Sequence, residues 1–489
     1  MTDTHPSSST GREETPTGLP PLRINLVLVV LLSAMFIVQF DFFVVNVAAP
    51  SLEDSIGAGP SALELIVGGF AFAYAGGMIT GGRLGDRYGH RRLFTIGAVA
   101  LGVTSLLCGI AANPEQLIAA RLAQGLAAAV MVPQVLAVIT AEFPDREKPK
   151  AMAWYGAAAG LGSIAGQVLG GAMISADFAG LGWRSIFLIN VPICLVIVIA
   201  APRVLPPQRQ RSEVGLDPAG AIGISAALAL LLVPLTMGHT TDWPVWTWIS
   251  MALAVPVAVV TLRWERDLAG RGGNPVLVLS LFRSLSFRGG MIASTAFMVY
   301  FGSFMFTLTL LLQAGMGLSP VEAGLVFSPM GVLFTATAMI GSRLTDRFGM
   351  SALVVSSAVT GLGLLLLAGR LYISGDDTGV AWVVLCLCLI GGGNGVVLPA
   401  LFGAALMRVA PEDAGVASGI LTTAQQFASA AGVAIIGAVF FMVAGSDPGG
   451  EDYAVAMAWA TAVSILMVLV VMRLTWTFKR FAASDTAQG

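Results

Sequence analysis

Residues Gly81–Phe94 read GGRLGDRYGHRRLF, and residues Gly341–Gly349 read GSRLTDRFG. The two stretches match at Gly, Arg-Leu, Asp-Arg, an aromatic residue and Gly, 260 residues apart. Each lies between long apolar runs and gathers charge in a chain where only 11% of residues are charged and 56% are hydrophobic. Soluble domains carry roughly 25% charged residues. A single soluble core cannot bury so much apolar side chain, whereas lipid can cover it. The composition is that of an all-α polytopic membrane protein, and the repeated motif is its internal landmark.

A helix needs about 20 apolar residues to cross a bilayer. Fourteen runs qualify, at 24–50, 62–82, 92–112, 116–142, 150–175, 183–201, 217–238, 244–263, 287–313, 320–341, 350–371, 381–406, 413–444 and 454–476. An even number puts both termini on one side, and the distribution of Lys and Arg names that side as cytoplasmic. With the N-terminus inside, 23 of the 26 basic residues fall in inner segments. Arg121 lies within a span, and only Arg184 and Arg370 lie near the outer side. The outer loops instead carry acids such as Glu53, Asp54, Glu115, Asp177 and Asp242.

The first copy of the motif follows span 2 and the second follows span 10. A duplicated six-helix unit would place the second copy after span 8, so two additional spans separate the halves. The expected organisation is 6 + 2 + 6. It comprises a disordered cytoplasmic tail (1–23), a six-helix bundle (24–201), two linker helices (217–263) and a cytoplasmic connector (264–286). A second six-helix bundle (287–476) and a cytoplasmic tail (477–489) follow. Parallel repeats of this kind mark alternating-access transporters, with the substrate path at the repeat interface.

Topological anchoring alone would explain the arginines of the motif. It does not explain an Asp at the same place twice, or glycines at both ends of each copy, where tight turns and close helix contacts are built. These features point to a gate formed by Gly82, Asp86, Arg87, Gly89 and Arg91, with Asp346, Arg347 and Gly349 in the second copy.

Two charges sit inside spans. Asp41 is about 13 Å from the outer end of span 1, and Arg121 about 8 Å from the outer end of span 4, at a helical rise of 1.5 Å per residue. Intramembrane charges are costly and mark function or pair with each other. A structural salt bridge is one reading. The other is a proton site, since apolar surroundings favour a neutral acid and a nearby guanidinium favours the carboxylate. Glu64, near the outer start of span 2, reads as interfacial. In span 5, glycines at 156, 160, 162, 166, 170 and 171 carve a flat face suited to close helix approach.

These motifs together resemble the major facilitator superfamily, in particular its fourteen-span drug:proton antiporter branch. Gly82, Leu84, Asp86, Arg87, Gly89 and Arg91 match the family's loop signature, with His90 where a basic residue is usual. Ser342, Met350 and Ser351 depart from it in the second copy. Asp41, Asn46 and Pro50 match the first-helix pattern. Leu117, Arg121, Gln124, Gly125 and Ala128 match the fourth-helix pattern, whose Arg the resemblance implicates in proton transfer. Gly162, Gly166, Gln167, Gly170 and Gly171 match the fifth-helix antiporter signature, with Gln167 in place of its proline. WRSIFLINVP (Trp183 to Pro192) and the glycine-rich span 13 are also similar. The resemblance implies a major facilitator fold and an inner gate in which Asp86 faces the start of span 13, near residues 411–413, with Arg408 close by.

The helices expected around the path offer Phe43, Phe297, Tyr300 and Phe304, with sparse polar groups: Gln39, Asn46, Gln134, Asn394 and Gln425. An apolar cavity with few polar anchors suits lipophilic molecules. The expected function is proton-driven export of hydrophobic or amphipathic drugs or antibiotics by a functional monomer in the plasma membrane. Its partners would be a small lipophilic substrate, protons and the bilayer. Uptake by proton symport, transport of a lipid or endogenous metabolite, and a non-transporting scaffold are the alternatives. No enzyme activity, cofactor or metal is expected, because the three histidines are scattered and no GxxxxGK[ST] loop occurs. A net charge of −2 gives no footprint for nucleic acid. The four cysteines lie in apolar runs and read as packed thiols.

Overall fold

Backbone in hydrocarbon must satisfy its own N–H and C=O groups, and helices do so segment by segment. The computed structural model describes residues 21–486 apart from 145–146, 207–216, 239–242, 274, 278, 408, 410–413 and 446–447. The described residues contain 14 helices long and apolar enough to cross a membrane, as the sequence predicts. The first six are α1 (Pro21–Ile56), α2 (Pro60–Tyr88), α3 (His90–Gly109), α4 (Pro114–Glu142), α5 (Lys148–Ala176) and α6, in two pieces, Ser185–Leu188 and Asn190–Val204. The linker pair is α7 (Pro218–Gly238) and α8 (Val245–Gly270). The last six are α9 (Leu285–Leu310), α10 (Pro320–Phe348), α11 (Met350–Ser374), α12 (Val380–Leu406), α13 (Ala414–Ala444) and α14 (Gly450–Thr486). The end of the bundle where α1 begins and α14 finishes is the terminal end, and the opposite end is distal.

Local chemistry sets the helix limits. Proline occupies the first turn of α2, α4 and α10, where its missing N–H costs nothing. Asn113 caps α4 by accepting from the Gln116 N–H at 2.9 Å, and Ser319 with Glu322 forms a capping box on α10. The first span runs past its expected limit at Pro50 to Ile56. The ring removes one donor from the helix without breaking it, and the chain turns only at Gly57, where φ is +66°.

The repeated motif was expected in short loops, and the structure makes those loops shorter still. Helix α2 carries the motif to Tyr88, Gly89 alone forms the joint at φ +94°, and α3 starts at His90. In the second copy Gly349 is the joint between α10 and α11, at φ +57°. A side chain in the left-handed region clashes with its own backbone, so both joints demand glycine. The repeated sequence thus places a positive-φ glycine joint at the same point of each half.

Packing repeats in the same way. In the first half α1 lies on α5, α2 on α4, and α3 on α4 and α6. In the second half α9 lies on α13, α10 on α12, and α11 on α12 and α14. The halves meet along two seams, α2 with α13 and α5 with α10. Both seams are closed at the distal end. Glu64 lies against Gly437, Gly171 against Pro320, and Gln313 Nε2 donates to the Val47 carbonyl at 2.9 Å. Toward the terminal end, Gly156 of α5 and Gly403 of α12 border open space.

The linker pair stands apart. Helix α7 touches both α2 and α13, bridging one seam, and α8 packs on α7. Most of α8 is exposed, including Trp246, Trp248, Leu253 and Val255, as a lipid-facing helix should be. At the terminal end Asp217 accepts from the Gly220 N–H at 2.9 Å and from the Trp264 indole at 2.9 Å. Glu265 accepts from the Leu277 N–H at 3.1 Å, and Arg83 of the motif donates to the Pro275 carbonyl. The linker and connector are therefore fastened to the motif end of α2.

Candidate functional site

The two intramembrane charges meet. Asp41 on α1 and Arg121 on α4 are fully buried, and Arg121 Nη1 lies 2.5 Å from Asp41 Oδ2. The other carboxylate oxygen, Oδ1, accepts from Gln124 Nε2 at 2.9 Å and from Asn190 Nδ2 at 2.7 Å. Arg121 also donates to Gln124 Oε1 at 2.7 Å and, through Nε, to the Ile66 carbonyl at 3.2 Å. Its guanidinium sits 4.4 Å from the Phe70 ring centroid and 5.8 Å from that of Phe187, a favourable place for a desolvated cation. Ser105 Oγ accepts from Gln124 at 2.8 Å and from Asn190 at 3.3 Å.

Five helices of the first half contribute to this network: α1, α2, α3, α4 and α6. A buried charge is tolerable only when paired and hydrogen-bonded, and this carboxylate accepts three bonds. Gln124 appeared in the sequence only as part of a helix pattern and Asn190 only inside the stretch WRSIFLINVP, and Ser105 was missed. Their one signal was polarity inside an apolar span.

The motif builds a second polar site at the terminal end. Asp86, 43% exposed, pairs with His90 Nε2 at 3.4 Å. His90 Nδ1 lies 2.7 Å from Gln134 Oε1, and Gln134 Nε2 donates to the Gly81 carbonyl at 2.8 Å. Gln134 was expected in the substrate cavity and is instead a strut between α4 and the motif. The reason is rotational, because its position on α4 faces α2 and not the seam. Arg87 stacks over Tyr88, and Arg347 over Phe348. Arg91 donates to the Leu205 carbonyl at 3.4 Å, tying α3 to the end of α6. Residues 408 and 410–413, expected opposite Asp86, and the side chain of Asp346 lie outside the described residues.

With fold and site in place, comparison with known proteins is decisive. Residues 31–433 match the Major Facilitator Superfamily. The chain belongs to that superfamily. It is 36% identical over 447 residues to a probable actinorhodin transporter of Streptomyces coelicolor, covering 90% of this chain and 77% of that protein. It is 31% identical over 482 residues to the cephamycin export protein CmcT of Amycolatopsis lactamdurans, covering 96% and 95%. Among solved structures, the xylose transporter XylE of E. coli superposes with a TM-score of 0.62 at 13% identity, covering 93% of this chain and 99% of that one. At that identity the likeness is one of fold.

In this superfamily member the glycines of α5 serve chiefly its own half. A methyl group on Gly162 or Gly166 would strike the carbonyl oxygens of Phe36 and Phe40, and one on Gly170 would strike Val44. Three glycines at four-residue spacing thus seat α5 on the backbone of α1, the helix that carries Asp41. Gly171 faces the other half, against Pro320, and the Gln167 backbone carbonyl lies against Gly324 of α10. Gln167 is 2% exposed, and neither atom of its amide has a partner among the described residues.

The residues expected along the substrate path fall into several places. Phe43 and Asn46 line a central pocket of about 10 Å³, room for about one water. Phe297, Tyr300 and Phe304 are buried in α9, and Asn394 donates to the Tyr300 hydroxyl. Gln39 is half-buried, beside Gly162. Gln425 is 8% exposed, with its amide nitrogen unpaired among the described residues. An unanticipated cavity of about 350 Å³ lies between α2, α7, α9 and α13. Ile79, Met291, Val299 and Phe427 line it, with Ser225, Thr295 and Thr423 as its polar edges.

Proposed function

We propose that the protein is a proton-driven exporter of lipophilic small molecules, antibiotics foremost, working by alternating access as a monomer in the plasma membrane. The carrying observation is the Asp41–Arg121 pair, an ionisable couple sealed inside one half of a two-half transporter. In the distal-closed arrangement the carboxylate is fully served by donors, which fits a state that has already given up its proton. Protonation would cancel the ion pair and free Arg121, Gln124 and Asn190 to reorganise. That change in α1 and α4 would couple proton exchange at Asp41 to rearrangement of the seams. The relatives' names support antibiotic export, and the basic terminal end supports cytoplasmic termini.

The two six-helix bundles, 24–201 and 287–476, are the rocking units in this scheme, and 217–263 is the linker. Gly82, Asp86, Arg87, Gly89 and Arg91, with Asp346, Arg347 and Gly349, form the inner gate. The apolar cavity, at about 350 Å³, has the size and lining that suit a lipophilic ligand. The test is a susceptibility panel in a host lacking its own pumps, with and without a proton uncoupler. Uncoupler-sensitive resistance to apolar antibiotics is expected. Equal susceptibility with and without the protein across the panel would contradict export.

A further inference from the structure

A second carboxyl group lies inside the membrane region, and its surroundings are the reverse of those of Asp41. Glu64 sits one turn into α2, close to the distal end, yet is only 2% exposed. Its carboxyl abuts the backbone of Gly437 on α13, so the second half of the molecule covers it. Neither oxygen has a hydrogen-bond partner among the described residues. Among the described residues no cation forms an ion pair with it. Helices α13 and α7 carry no ionisable side chain over Ala414–Ala444 and Pro218–Gly238. Arg121 of α4 pairs with Asp41 through Nη1 and with the Ile66 carbonyl through Nε, its Nη2 has no partner among the described residues and makes no ion pair with Glu64, and Glu115 of α4 is an exposed acid. On α3 the arginines stand at its terminal-end start, and on α1 the nearest further charges, Glu53 and Asp54, are acids.

An ionised carboxylate without donor or counter-charge is tolerated in water and not in such a seam. Opening the α2–α13 seam at the distal end would expose Glu64 to solution, since it lies about 6 Å from the helix start at 1.5 Å per residue. We propose that Glu64 is a second proton-binding site that gates the distal closure. Its carboxyl takes a proton from the distal solution as the seam closes and returns it to the same side when the seam opens. That proton is not carried across the membrane. It makes the closed state depend on distal pH, while Asp41 holds the transported one. Glu64 can act in this way only if the halves part at their distal ends, as alternating access requires.

The sign follows from linkage. Closure binds one proton, so acid on the distal side favours it, and closure weakens as pH rises through the range in which the exposed carboxyl ionises. The limiting slope is tenfold in the closed-to-open ratio per pH unit, about 1.36 kcal/mol.

The test uses the full chain in proteoliposomes without substrate, with its cysteines replaced by serine and spin labels at Ala62→Cys and Met442→Cys. The distance distribution between the distal ends of α2 and α13 is then read against distal pH. The wild-type background should gain closed population on acidification with a slope approaching tenfold per unit. Glu64→Gln, which keeps the shape of the neutral acid, should be closed at every pH. An unchanged pH dependence in Glu64→Gln, or none in the parent, overturns the proposal. Infrared difference spectra of the same proteins give an independent reading. A protonated-carboxyl band in the closed parent should vanish in Glu64→Gln, and its persistence would also overturn it. Neither measurement involves export, so a failed susceptibility panel would leave both interpretable.

Discussion

Asp41 and Glu64 are buried acids in neighbouring helices of one bundle, and they are built oppositely. Asp41 is enclosed by its own half, with an arginine and two amides donating to it. Glu64 is covered by the other half and receives nothing. The first arrangement suits an anion and persists when the halves move as rigid units. The second suits a neutral acid and exists only while the seam is shut. A proton at Asp41 therefore reports on the interior of a bundle, and a proton at Glu64 reports on the contact between bundles.

The contrast yields graded outcomes. Arg121→Ala should have the largest effect on stability, about 3–5 kcal/mol, because it strands a buried carboxylate. Thermal unfolding of purified protein in detergent checks this, and a loss below about 1 kcal/mol would mean that Asp41 finds another donor or is already neutral. Asp41→Asn keeps the shape but removes the charge and should cut uncoupler-sensitive efflux at least about tenfold, or 1.4 kcal/mol, while membrane expression is kept. Asn190→Ala removes one of three donors and should cost about 1–3 kcal/mol, read in the same unfolding assay. Glu64→Gln should be the mildest, within about 1 kcal/mol in stability, because no donor is lost. A loss as large as that of Arg121→Ala would reveal a hidden partner and erase the contrast.

Much of this was legible in the sequence, for reasons that differ by residue. The repeated motif marked the two halves and the linker pair because the helix-to-helix joint in each half needs a positive-φ glycine, at Gly89 and Gly349. Asp41 and Arg121 stood out because charge in an apolar run is rare, and their depths could be counted along the helices. Ser105, Gln124 and Asn190 stayed hidden because a neutral polar residue in a span gains meaning only from its neighbours in space. Glu64 was read as interfacial, since distance from a helix end measures depth and says nothing about what covers a face. The same gap put Gln134 in the cavity, when its face of α4 turns to the motif. The close approach of Gly162 and Gly166 to α1 is likewise a matter of rotation about the helix axis.

The claim on which the rest depends is that Asp41 exchanges the proton that drives export. Purified protein in proteoliposomes, loaded with a lipophilic antibiotic and given an imposed proton gradient, tests it with parent and Asp41→Asn side by side. The parent should move drug and protons in opposite directions, each dependent on the other, and Asp41→Asn should move neither while giving an unchanged elution profile. Gradient-driven drug movement and proton counterflow at parental rates in Asp41→Asn would contradict the account.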